Sequence, residues 1–387
     1  MLLSGGIGYR LGQGTLKVTT TKNSVLPTIS RQIPAAENNV NMDLFWSVWD
    51  KLSANYLDKS KIDQNQMVYG AIKGMVSSVG DPYTMFLPPT DNKKSKEDLN
   101  GSFSGVGIEL GFNKDKLMTV VSPLKGTPAE KAGVKATDVI LKIGDKDTMN
   151  MGLQEAVDMI RGLKGTQVKM TLVHLSDNKP YEVTLTRDTI LVPSVDLEFK
   201  DKIAVIKLSR FGDRTNDEWN KVVDKIIATK DTKGIVLDMR NNPGGYLTGS
   251  VYIASEFLPS GVVVEQESSN GVKEPFEVNR KGKLLKQPLV VLVNEGSASA
   301  SEIVAGALQD HKRAQIVGVT SFGKGTVQEA EDLKQGAGLH VTVARWLTPN
   351  GNWIDKNGIK PDVEVKNDPE KPEEDLQLNN ALELLKS

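Results

Sequence analysis

Four short runs in the second half of this 387-residue chain are almost purely aliphatic: 203–208 (IAVIKL), 234–238 (GIVLD), 288–293 (PLVVLV) and 314–318 (AQIVG). A strand with one face in water alternates apolar and polar residues, whereas a run that does not alternate belongs to a sheet covered on both faces. Stretches with helical apolar spacing lie between these runs. One covers 218–228, with Val222, Val223, Ile226 and Ile227 on a single face, and others fall near 247–258 and 300–309. Alternating strand and helix predict an α/β core, and ligands bind such sheets where strands end and helices begin.

The pattern upstream is different. Between Gly101 and about Arg187 come short β-type runs and one helix-like stretch, 154–161, which mark a compact module of its own. Before it, Phe45, Val48, Trp49, Leu52 and Tyr56, and then Val68, Ile72, Met75, Val76 and Val79, repeat at helical spacing. Gly80-Asp81-Pro82 ends the second helix, because proline cannot continue it. The predicted layout is a flexible segment at 1–41, a helical segment at 42–98, the β-rich module at 99–187, an α/β core at 188–366 and a spacer with a final helix at 367–387. That final helix docks either on the core or on another subunit. The opening apolar stretch, Met1 to Gly8, is shorter than the roughly 20 residues that cross a bilayer. It reads either as the stub of an anchor or as a plain tail.

Composition removes several classes of function. There is no cysteine, so thiol catalysis and thiolate metal sites are absent. Three histidines, none in a metal-type cluster, give no metal centre, and no cofactor is expected. Lys and Arg total 48 against 49 Asp and Glu, a net charge of -1 that implies no broad cationic face for nucleic acid.

Chemistry concentrates in two turns. Asn294-Glu295-Gly296-Ser297-Ala298-Ser299-Ala300-Ser301-Glu302 lies where a buried strand gives way to a helix, a place suited to an exposed nucleophile beside a helix N-terminus. The same serines read equally well as N-caps. Thr320-Ser321-Phe322-Gly323-Lys324-Gly325-Thr326-Val327-Gln328 puts a lysine in a glycine-flanked turn after another strand. A lysine acts as general base only when neutral, so its pKa must fall by roughly 3 units, about 4 kcal/mol, from an ordinary value near 10.4. Two other patterns overlap this turn. Gly318 to Lys324 fits a phosphate-loop spacing but is followed by Gly325 instead of Ser or Thr. Ser321 to Lys324 fits S-x-x-K and makes Ser321 a second nucleophile candidate, though the glycines disfavour the helix that motif needs. His311 reads as a surface residue at a helix end, His340 as a strand residue, and Arg161 as a solvated helix-end charge or a residue facing the cleft.

Gly105-Val106-Gly107-Ile108 and Gly126-Thr127-Pro128-Ala129-Glu130-Lys131-Ala132-Gly133-Val134 resemble a PDZ domain of the kind found in bacterial proteases. Gly105, Val106, Gly107 and Ile108 would then form its carboxylate-binding loop. With Gly80-Asp81-Pro82-Tyr83-Thr84, Asp238-Met239-Arg240-Asn241-Asn242-Pro243-Gly244-Gly245, the two turns above, Pro349-Asn350-Gly351 and Gly358-Ile359-Lys360-Pro361-Asp362, nearly the whole chain resembles the carboxyl-terminal processing, or tail-specific, proteases. The resemblance implies a crotonase-like (ββα) core and a Ser/Lys dyad. Ser299 matches the nucleophile, Lys324 the base and Gln328 the residue that orients it. The backbone N–H groups of Ala300 and of the Gly244-Gly245 turn, Gly245 for preference, match the oxyanion hole. It further implies protein or peptide substrates with free C-terminal tails, an extracytoplasmic (periplasmic or cell-envelope) location, a membrane tether at the N-terminus, and self-association into a homo-oligomer. A non-cleaving PDZ scaffold and an acyl-CoA enzyme on the same fold are the rival readings.

Overall fold

A computed structural model describes residues 16–19, 28–31, 41–174, 179–371 and 373–386. The chain divides into two units, residues 1–72 and 73–387. In the first, strands Leu16–Thr19 and Thr28–Arg31 pair antiparallel inside the segment read as a flexible linker. Met1 to Gly8, the stretch read as anchor stub or tail, lies outside the described residues. Helix Asp43–Asn55 follows, and helix Gln64–Ser77 runs through the division; neither buries a residue.

The aliphatic runs of the second unit form one six-stranded sheet, in the order Val195–Lys200, Ile203–Leu208, Gly234–Asp238, Leu289–Val293, Gln315–Gly318 and Val363–Glu364. The first pair is antiparallel and the others are parallel. That hairpin followed by helix Thr215–Ala228 is the expected ββα order. Both faces are covered, which explains the missing alternation. Ile206, Ile235, Leu237, Val291 and Val293 pack with Trp219, Val223, Phe257, Val304 and Leu308. Ile203, Val205, Val236, Val290 and Leu292 pack on the other side with Ala381 of the last helix, Leu376–Leu384, so that helix docks on the core. Arg240 fastens it there, pairing with both Asp238 and Asp375 at 2.7 Å.

A second, five-stranded antiparallel sheet was largely invisible to the sequence. Lys273–Glu277, Val262–Ser268, Gly338–Leu347 and Thr326–Asp332 lie side by side, and Met85–Leu87 pairs with the start of Gly338–Leu347. The PDZ module has its own sheet, helices Pro128–Lys131 and Leu153–Ile160, and a separate core around Val120, Ile140, Met170 and Leu172. It hangs from the rest of the unit by paired strands, Ser102–Gly105 against Asp188–Leu191.

Candidate active site

The serine turn joins strand Leu289–Val293 to helix Ala300–Asp310. Ser297 is fully buried; its hydroxyl donates to the Met239 carbonyl at 2.8 Å and accepts from the Asn294 N–H. Ser301 is likewise buried and donates to the Asn242 carbonyl at 2.9 Å. Ser299 is partly exposed, and its hydroxyl donates to no protein acceptor among the described residues. It is also the N-cap of the helix, so the capping and nucleophile readings meet at one residue. Its backbone sits at φ 55°, ψ −115°, a region that costs a non-glycine residue about 1–3 kcal/mol and raises the side chain above the strand-to-helix turn.

The glycine turn packs directly against it. A Cβ on Gly244, at φ +102°, would lie 2.8 Å from the Ala298 carbonyl oxygen and 3.0 Å from the Ala300 nitrogen, so only glycine permits this approach. Phe211 braces the turn, its N–H donating to the Gly244 carbonyl and its carbonyl accepting from the Tyr246 N–H. The Gly244 N–H is committed to Asn242 Oδ1 at 2.9 Å. Those of Gly245 and Ala300 have no protein acceptor among the described residues. Of the two glycines, Gly245 therefore has the N–H available to a substrate carbonyl.

Lys324 reaches the same cleft from the opposite loop. Two indoles hold its backbone: Trp346 Nε1 donates to the Lys324 carbonyl and Trp353 Nε1 to that of Gly325, each at 2.9 Å. Burial lowers the ammonium pKa below the ordinary lysine range, against the opposing pull of the Asp81 and Glu302 carboxylates. The Nζ lies 4.8 Å from the centroid of the Tyr83 ring, and no hydrogen bond joins it to Ser299 among the described residues. No hydrogen bond joins Gln328 to Lys324 among the described residues either. Its Nε2 donates to the hydroxyls of Thr326 (2.8 Å) and Thr342 (3.0 Å), because a register shift between Val327 and Gln328 turns the side chain along the sheet.

Glu302, 0% exposed, ties the two loops together. Its carboxylate accepts from the N–H groups of Ser299 (2.8 Å), Gly323 (2.7 Å) and Lys324 (2.9 Å) and from the Ser321 hydroxyl (2.6 Å). Ser321 is thus committed, and it also accepts from the Ile359 N–H. Strand Thr326–Asp332 follows the lysine loop where a phosphate loop requires a helix.

Ser299, Lys324, Gln328, Gly244 and Gly245 line one cleft of about 1060 Å³, large enough for several residues of an extended chain. His340 and Arg161 also line it. Burial and the nearby Lys324 charge lower the His340 pKa, and no hydrogen bond joins it to Ser299 among the described residues. His311 caps its helix, its Nε2 2.8 Å from the Val262 carbonyl oxygen. In the PDZ module, Val106 is buried, Gly107 turns at φ +79° against Thr127, and Ile108 opens strand Ile108–Phe112 at the end of the sheet. The N–H groups of Val106 and Gly107 have no protein acceptor among the described residues. Gly105 ends the strand that leads in.

Residues 202–365 match the family model described as peptidase family S41, residues 119–173 a PDZ domain, and residues 1–90 the activating protease CtpB N-terminal domain. The chain is 38% identical over 341 residues to the carboxy-terminal processing protease CtpA of Bacillus subtilis (strain 168), covering 88% of this chain and 72% of that protein. It is 34% identical over 370 residues to CtpB of the same organism, covering 94% and 76%. The chain belongs to peptidase family S41. Among solved structures, this S41 chain superposes on a photosystem II D1 C-terminal processing protease with a TM-score of 0.51 and 31% identity, over 89% of this chain and 97% of that one. It is therefore a serine-type peptidase carrying a PDZ domain.

Several residues around the S41 site were present in sequence motifs but had no assigned role. Asp81 and Thr84 flank the ring under Lys324. The Thr84 hydroxyl donates to Asp81 at 2.7 Å and accepts from the N–H of Thr342, whose hydroxyl accepts from Gln328. Asn242, fully buried, donates to the Leu208 carbonyl at 2.8 Å, while its own carbonyl accepts from Ala298 N–H and the Ser301 hydroxyl. The signal was positional: both motifs sit beside glycine or proline turns.

Proposed function

We propose that this peptidase cleaves the tails of unstructured or partly unfolded proteins through an acyl-enzyme on Ser299, with Lys324 as general base. The observation that carries the reading is the difference among three neighbouring serines: Ser297 and Ser301 spend their hydroxyls on buried carbonyls, and Ser299 alone presents its hydroxyl to a cleft shared with a desolvated lysine. Neutral Lys324 turns from Tyr83, with Gln328 Oε1 steadying it, and takes the Ser299 proton as Oγ attacks the scissile carbonyl. The N–H groups of Ala300 and Gly245 hold the oxyanion. The lysine returns its proton to the leaving amine, then activates the water that frees the acyl group. The PDZ loop Gly105-Val106-Gly107-Ile108 takes the tail's terminal carboxylate on its unused N–H groups.

The decisive test is digestion of β-casein followed by mass spectrometry. Fragments from the wild type and none from Ser299→Ala or Lys324→Ala support the dyad. Cleavage that persists in Ser299→Ala removes the nucleophile, and no cleavage by wild type favours a binding scaffold. The same reading puts the protein in the periplasm or cell envelope on an N-terminal membrane tether, which fractionation of cells would check. Exposed Leu44, Trp46, Val48 and Leu52 on helix Asp43–Asn55 support self-association, which sedimentation would check.

A further inference from the structure

The cleft contains an arginine whose hydrogen-bonding capacity is almost unused. Arg210 follows strand Ile203–Leu208 and immediately precedes Phe211, the residue that braces Gly244 and Tyr246, so its backbone is fixed relative to the oxyanion turn. Its side chain is half-buried, lines the cleft with Ser299, and packs against Gly101.

The other arginines whose side chains are described are better supplied with partners. Arg240, Arg280, Arg214 and Arg345 each pair with a carboxylate within 2.9 Å. Arg161 has Glu97 at 4.0 Å and the Phe103 ring beneath its guanidinium. Arg187 and Arg313 pair with no carboxylate among the described residues, yet Arg187 donates to the oxygens of Ile160, Thr166, Gln167 and Met159, and Arg313 to those of Phe257, Leu284 and Gln287. Arg210 donates only to the Val192 carbonyl among the described residues, through Nη2, and none of its ion pairs falls within 4.0 Å.

The nearby carboxylates do not fill the gap. Glu218 is occupied by Arg214 and by the N–H and hydroxyl of Ser194, and Asp98 acts on Arg210 only at longer range. A guanidinium carries five donors in a planar fork that matches a carboxylate. Partly removed from water and given one carbonyl, it bears a desolvation cost that an incoming carboxylate offsets.

Building on the proposed peptidase reading, we infer that Arg210 is a specificity-determining residue that selects an acidic side chain of the substrate close to the scissile bond. The Val192 carbonyl orients the fork, and the remaining donors face the bound chain.

The experiment uses full-length protein and fluorescein-labelled unstructured 12-residue peptides, identical except that one Glu is moved through the positions around the bond cut, each with a Gln counterpart. Affinity is read by anisotropy on Ser299→Ala, and cleavage on protein with the native serine. At one register the Glu peptide should bind about tenfold tighter than its Gln counterpart. Arg210→Gln should erase that ratio, Arg210→Lys should keep part of it, and Arg210→Glu should shift preference to a Lys peptide. Amidated and free C-termini in parallel separate an acidic side chain from the tail carboxylate; a preference confined to free C-termini overturns the assignment. So does the absence of a Glu preference at every register, or a ratio unchanged in Arg210→Gln. Thermal melts of each variant show that the fold is retained. Because binding is measured without turnover, a wild type that cleaved nothing would favour the binding scaffold and still leave Arg210 decided.

Discussion

The carboxylate of Glu302 accepts a hydrogen bond from the backbone N–H of Lys324 at 2.9 Å. The same group holds the Ser299 N–H at 2.8 Å, so one buried side chain fixes the separation of the two loops that carry the proposed dyad. Neither reactive side chain is consumed in the process.

Glu302→Ala would leave buried donors on Ser299, Ser321, Gly323 and Lys324 without an acceptor. Urea unfolding should show a loss of about 3–5 kcal/mol. Glu302→Gln keeps the shape but turns one acceptor into a donor. It should lower kcat far more than it raises KM, as peptide hydrolysis would read.

The strained backbone at Ser299 separates stability from activity. Both Ser299→Ala and Ser299→Gly should abolish cleavage, but only glycine relieves the positive φ. In thermal or urea melts the glycine variant should be the more stable by about 1 kcal/mol.

As the proposed base, Lys324 should set the pH profile. Burial lowers its pKa, so cleavage should rise with pH through a midpoint below the ordinary lysine value near 10.4. Between the folded and unfolded pKa values the unfolded chain binds more protons, so this residue's contribution makes the fold more stable as pH rises through that window and is constant above it. Lys324→Met should therefore raise Tm at neutral pH while removing activity.

Tyr83 favours the charged lysine by offering its ring face at 4.8 Å. Tyr83→Leu should move the midpoint toward acid by about half a pH unit, given about 0.5–1 kcal/mol for such a contact. A profile that does not move would show that the ring plays no part in the lysine's titration.

Gly244→Ala forces a Cβ to within 2.8 Å of the Ala298 carbonyl at a backbone angle alanine avoids. Activity should fall by about 10²–10³, the scale of losing an oxyanion donor, while the PDZ core, which is separate, keeps its hydrogen-exchange protection.

The central sheet was legible because burial on both faces leaves a continuous aliphatic signature, as at Ile203–Leu208 and Leu289–Val293. Of the second sheet only the strand that holds His340 was legible. Strand Thr326–Asp332 is largely exposed, and its Glu-Ala-Glu-Asp end carries no period that marks a strand. Ser299 and Lys324 were findable as residues, but the hub at Glu302 was not, since beyond the nearby Ser299 N–H its partners lie 19 to 22 positions away, past the rest of helix Ala300–Asp310 and strand Gln315–Gly318. Gln328 marks the opposite case: the position was flagged, and a local register shift gave it partners that spacing could not reveal.

Gly105 and Asp188, at the two ends of the PDZ insertion, are cross-strand partners. Paired residues of an antiparallel ladder stand only about 4.5–5.5 Å apart, the distance a tight two-residue hairpin closes. The module therefore enters and leaves through a single socket. Recognition domains of unrelated shape can be exchanged at that socket without rethreading the hydrolytic core, so peptide recognition and bond cleavage are free to evolve on separate schedules.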